Sequence, residues 1–133
     1  MIALLLAAIL QTSMPMRTIE KGLTSQMDDG RQAVVRTDAE WARVWTLHAG
    51  EKTKPAVDFS KDIVLALFLG TRPTAGFTVE IVGVREEGAT LVVSYKETRP
   101  APGGVAAQIL TSPFHIVAVP KGTATAAKWE RVN

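Results

Sequence analysis

The stretch Asp62-Ile63-Val64-Leu65-Ala66-Leu67-Phe68-Leu69-Gly70 decides the fold of this chain. Seven consecutive apolar residues without alternation are too few for a buried helix and too uniform for a half-wet strand. Residues 63–69 therefore read as a central strand covered on both faces. One cover lies upstream. Thr37-Asp38-Ala39-Glu40 has the form of a capping box, and Trp41, Val44, Trp45 and His48 follow at i, i+3, i+4 and i+7 before Gly50. That spacing predicts an amphipathic helix with Trp41, Trp45 and a packed His48 on its core face.

Outward from these two elements the period is that of strands. Residues 77–85 alternate, with Phe77, Val79 and Ile81 on one face; residues 90–95 alternate again after Glu86, Glu87 and Gly88. Two such runs with a short connection predict an antiparallel hairpin. Residues 31–36 read as a short strand, 114–119 as another closed by Pro120, 105–110 as a strand or edge segment, and 128–132 as a short edge strand. Residues 16–30 are polar, with Asp28, Asp29 and Gly30 as turn formers. The expected fold is mainly β (α+β): an antiparallel sheet or sandwich with one amphipathic helix packed on it, its strands antiparallel because helical crossovers are missing between them.

The chain's 133 residues make one domain, expected over residues 17–133. Residues 1–13 hold no ionisable side chain, and residues 2–10 are an unbroken apolar run of nine. Such a run is about half of what a spanning helix needs and matches the apolar section of a secretion signal. Residues 1–13 are thus expected to be a signal peptide or the remnant of one, with a buried N-terminal element as the alternative. No Lys or Arg precedes the run, and no small-x-small cleavage site follows it. With no cysteine, disulfides, thiol chemistry, iron–sulfur ligation and a lipid-anchored leader are excluded. Fifteen Lys and Arg against 13 Asp and Glu give a formal charge of +2. The nearest cationic cluster, Lys52, Lys54 and Lys61, is interleaved with Glu51, Asp58 and Asp62, so nothing marks a nucleic-acid surface.

No motif names a reaction. Gly70-Thr71-Arg72-Pro73-Thr74-Ala75-Gly76 lacks both the Lys-Ser/Thr ending of a P-loop and a following helix, so it is no phosphate cradle. It reads instead as a rigid connection, with Pro73 restraining Arg72 and a glycine at each end; Arg72 either projects or folds back on a carboxylate such as Glu80. Arg99-Pro100-Ala101-Pro102-Gly103-Gly104 is a second stiff-then-flexible loop. Ser112 and His115, three apart, raise a hydrolase alternative, although no nucleophile elbow surrounds the serine. Asp28 with Asp29, and Asp58 with Asp62, lack any metal-loop register, so no metal or cofactor is expected.

Several segments resemble one known family. They are Arg31-Gln32-Ala33-Val34-Val35, Glu40-Trp41-Ala42-Arg43-Val44-Trp45, Val57-Asp58-Phe59, residues 64–69 with the loop through Phe77, Thr111-Ser112-Pro113-Phe114-His115-Ile116-Val117, and Val119-Pro120-Lys121. Together they are similar to the PrcB C-terminal domain family, named for a subunit of a surface protease complex, over about residues 19–121. Ala75 stands where the family carries the first glycine of a pair. The resemblance implies an exported or membrane-associated bacterial protein that associates with a protease, and it carries no catalytic residues. More distantly, Pro73-Thr74-Ala75-Gly76-Phe77 and Pro102-Gly103-Gly104 resemble the two loops of chagasin-like inhibitors of cysteine proteases. Arg72 replaces the usual Asn, and a third element has no equivalent.

The expected function is an exported, periplasmic or extracellular, non-enzymatic module that binds another protein, a protease by the resemblance. Its recognition residues would be Arg72, Pro73, Thr74, Gly76, Phe77, Pro102, Gly103 and Gly104. Inhibition of a protease by loop insertion and hydrolysis by Ser112 and His115 are the alternatives. No nucleic acid and no membrane span is expected.

Overall fold

The computed structural model describes residues 11–133. The apolar run 2–10, expected as the core of a leader, lies outside the described residues. Among those described are eight strands and one helix: β1 (Gln11–Ser13), β2 (Arg17–Gly22), β3 (Arg31–Val35), α1 (Asp38–Ala49), β4 (Asp62–Phe68), β5 (Thr78–Glu87), β6 (Thr90–Thr98), β7 (Phe114–Pro120) and β8 (Ala126–Arg131). They form two four-stranded sheets, ordered β1-β5-β6-β8 and β2-β7-β4-β3.

β4 holds the position its composition demands. It lies between β7 and β3, and its two faces belong to different cores. Ile63, Leu65 and Leu67 face the other sheet with Val117 and Val119 of β7 and with Val79, Ile81, Leu91 and Val93. Val64, Ala66 and Phe68 face α1 with Phe114 and Ile116, meeting Val35, Trp41, Val44 and Trp45. Three layers result, sheet on sheet on helix, and Val64, Leu65 and Ala66 are wholly buried between them.

The helix ends as its sequence directs. Thr37 Oγ1 accepts from the Glu40 amide at 3.2 Å, and Gly50, at φ +62°, donates its amide to the Thr46 carbonyl at 2.9 Å. Trp41 and Trp45 are buried and donate their indole N–H groups to the carbonyls of Pro55 and Lys52. They thereby strap the charged connector onto the helix while filling the core.

Four details depart from the sequence reading. β8 pairs parallel with β6, not antiparallel; between them the chain crosses to the other sheet as β7, a detour that does the work of a helical crossover. β2 forms within the polar stretch 16–30. As an edge strand it needs few apolar residues, and its polar side chains Thr18 and Glu20 hydrogen-bond the buried histidines. In β5 the register shifts between Ile81 and Gly83, so the buried series runs Val79, Ile81, Val84 while Val82 faces outward. Residues 105–110 form no strand. Their backbone serves the neighbouring loop, and Val105, Ile109 and Leu110 are exposed.

Candidate functional site

Topology brings the two candidate loops to one end of the sandwich. The first leaves β4 at Phe68 and enters β5 at Thr78; the second leaves β6 at Thr98, which pairs with Thr78, and reaches β7 at Phe114, which pairs with Phe68. Arg72 and Thr111 exchange main-chain hydrogen bonds of 2.7 and 3.0 Å, Ala75 donates its amide to the Ala107 carbonyl, and Thr111 Oγ1 donates to the Thr74 carbonyl. On its other side the first loop is tied by the Thr71 amide to the Asp28 carbonyl. Gly70 sits at φ +84°, where a Cβ would stand 2.8 Å from both the Asp28 oxygen and the Gly30 nitrogen, so only glycine fits this crossing.

Gly76 is where the loops meet. It adopts φ +98°, and a Cβ there would lie 2.8 Å from Pro100 Cγ. Gly76→Ala is accordingly expected to lower stability by about 1–2 kcal/mol, through backbone strain and the displaced proline ring. The shift of the urea midpoint measures it.

The individual side chains are less alike than the motif suggests. The Arg72 guanidinium lies 5.8 Å from the centroid of the Phe77 ring and donates to the Thr71 carbonyl at 3.2 Å. It does not fold onto Glu80, which pairs instead with Lys21 at 3.2 Å; the Lys21 ammonium, by hydrogen bond and charge, holds that carboxyl below the usual range. Phe77 packs against the inter-sheet core, so the aromatic end of the inhibitor-like motif is tied down. Pro73, Gly76, Pro102, Gly103 and Gly104 are exposed, and Thr74 is half-buried. The Gly104 amide closes its turn onto the Ala101 carbonyl at 2.9 Å.

Ser112 and His115 are separately employed. Ser112 Oγ donates to the Met27 carbonyl at 2.8 Å. His115 Nδ1 accepts from the Ile81 amide at 2.9 Å, which leaves the ring proton on Nε2 to be donated to Thr18 Oγ1 at 2.9 Å. Burial, reinforced by Lys21, pushes this imidazole down to about 4, so it is neutral near pH 7. A groove of about 290 Å³ is lined by Ser112 with Leu23, Ser25, Thr71 and Leu110, but not by His115.

Sequence reasoning missed a third polar chain. His48 Nε2 donates to Glu20 Oε1 at 2.7 Å, and its Nδ1 accepts from Ser25 Oγ at 2.8 Å; Ser25 Oγ itself accepts from the Met27 amide. Its three residue types are those of a proton relay. Its imidazole, however, is enclosed by the rings of Trp45, Phe68 and Phe114 at centroid distances of 5.2, 5.6 and 4.3 Å. It pins α1 to β2 and to residues 25–27. Glu20 and Ser25 stand 28 and 23 positions from His48, so no local spacing could have announced the chain.

Among the described residues every buried side-chain nitrogen and oxygen has a hydrogen-bond partner, no three of His, Asp or Glu converge as a metal site, and no helix is long and apolar enough to cross a membrane. No curated protein and no solved structure matches the chain. Residues 63–120, running from β4 through β7 and including both candidate loops, match the family model described as PrcB C-terminal.

Proposed function

We propose that this chain is an exported, non-enzymatic protein-binding module that contacts a protease, and that its contact surface is the end of the sandwich where residues 72–77 and 100–104 meet. The family match supports a non-catalytic, protein-associated role. The observation that carries the finer reading is the junction of Gly76 with Pro100, flanked by the Arg72–Thr111 bridge. Two connections that are far apart in sequence become one braced surface, and a braced loop loses little conformational entropy on binding. Exposed Val105, Ile109 and Leu110 add apolar area to the same end, and Pro102, Gly103 and Gly104 leave main-chain groups open to a partner.

Photo-crosslinking groups placed at Thr74 and at Gly103, in the protein expressed with its native leader, are expected to give the same single adduct, identified by mass as a protease. A group at Lys54, on the connector behind the helix, is expected to give none. Identical products from all three positions would reject the loop end as the contact surface, and an adduct with a protein of another class would reject the protease.

A further inference from the structure

β3 is an edge strand without the devices seen at two other edges. β2 is broken by a register shift between Thr18 and Glu20, and β8 carries Lys128 within the strand. β3 pairs with β4 in unbroken register from Arg31↔Phe68 to Val35↔Val64, and it contains neither Lys nor Pro. The register also says which main-chain groups are open. Lys121 donates to the Lys61 carbonyl and Leu69 to the Pro113 carbonyl, so odd-numbered residues of β4 bond to β7 and even-numbered ones to β3. Arg31, Ala33 and Val35 are thus used by β4, while Gln32 and Val34 direct their amides and carbonyls away from the sheet. Neither has a hydrogen-bond partner there among the described residues.

Both flanks of this edge are concave. On the inter-sheet side lies a groove of about 400 Å³ lined by Arg31, Gln32, Leu69, Arg72, Tyr95 and Glu97. On the helix side lies one of about 350 Å³ lined by Ala33, Val35, Glu40, Arg43 and Val44 among others. A strand laid against β3 would send alternate side chains into the two grooves, the arrangement by which strand addition combines main-chain affinity with side-chain selectivity. The charge around them is unbalanced. Among the described residues Arg31 and Arg43 form no ion pair, the Arg72 guanidinium meets a ring and a carbonyl, and Glu97 is already 3.8 Å from Arg131, leaving Glu40 as the uncompensated carboxylate.

We infer that β3 is a strand-addition site for an extended acidic segment of a partner protein, held by the outward main-chain groups of Gln32 and Val34 between Arg31, Arg43 and Arg72. A second copy of this chain fits less well, since two such edges would bring arginines together. The site shares Arg72 with the loop surface proposed above, but its main-chain groups belong to β3; crosslinks from Thr74 and Gly103 report on the loops, and peptide binding at Gln32 and Val34 can fail or succeed without them.

The probe is a short fluorescent peptide of alternating Glu and Val, with a Lys and Val counterpart, read by anisotropy against the whole protein. The acidic peptide is expected to bind, more weakly as salt rises, and the basic one is not. Gln32→Pro removes one outward amide and leaves the β4 ladder intact; it is expected to weaken binding about tenfold, as is Arg31→Glu combined with Arg43→Glu. Should the proline variant not fold, the acidic peptide methylated on alternate backbone nitrogens applies the same test to unaltered protein and is expected to lose affinity likewise. Equal binding of the acidic and basic peptides, no binding of the acidic one, or indifference to methylation would overturn the proposal. So would sedimentation showing a dimer that Gln32→Pro dissolves, which would assign the edge to a second copy.

Discussion

Between pH 6.5 and pH 4 the protein is expected to lose about 3 kcal/mol of stability through His115 alone. The imidazole is 3% exposed, and its folded value is lowered from 6.5 to about 4, first by burial and then by Lys21, with Glu80 opposing. In that window the unfolded chain takes up a proton that the folded chain refuses, so acid favours unfolding; above pH 6.5 both states hold the ring neutral and the dependence vanishes. The cause is geometric as well as dielectric, because Nδ1 is committed to accepting from the Ile81 amide and protonation would set two donors against each other. His115→Asn keeps an acceptor near the Nδ1 position and removes the titration. Urea unfolding at pH 7 and pH 4.5 should show a large difference for the native chain and a much smaller one for the variant. The same acid slope in both proteins would show that His115 is not the sensor. Since this ring joins β7 of one sheet to β5 of the other, the sandwich should open there first.

Trp41→Ala is expected to destabilise the fold by about 3–5 kcal/mol, the usual range for emptying a large aromatic site in a packed core. Trp41 is 1% exposed, tilts against Trp45 at a centroid distance of 5.5 Å, and donates to the Pro55 carbonyl at 2.9 Å. Its removal leaves a cavity and also an orphaned carbonyl at the strap of residues 51–61. For a domain whose whole stability is on the order of 5–15 kcal/mol, that loss is a large share. Trp41→Phe, which keeps most of the apolar area, separates the two contributions and should cost only about 1–2 kcal/mol. Thermal unfolding by circular dichroism measures both. A near-zero effect of the alanine variant would mean that α1 is not the cover that β4 requires.

What was legible in the chain follows from how locally each feature is determined. The seven apolar residues of β4 announced two covered faces because a strand's period of two assigns them alternately, and both covers exist. Thr37, Glu40 and Gly50 announced the helix ends because capping is a contact between near neighbours. β2 was hidden because its inward groups, Thr18 and Glu20, are polar and answer histidines 97 and 28 positions away. The parallel pairing of β8 was hidden because a crossover through a second sheet leaves no helical period behind. In the candidate site, the glycines and prolines marked both loops, but their contact at Gly76 and Pro100 depends on the register of β5 with β6. The open groups of β3 depend likewise on which residues of β4 are spent on β7.

The strand order carries a consequence in time. Neither sheet is made from one continuous piece of chain: β1, β5, β6 and β8 build one, and β2, β3, β4 and β7 the other. Beyond the local β5–β6 hairpin and the β3–β4 pair, the pairings join segments distant in the chain, so much ordering entropy is surrendered before they return it, which slows folding. If the polypeptide leaves the cell as proposed, such delay would be useful, since a chain that is slow to close would still be extended when it reached a translocation pore.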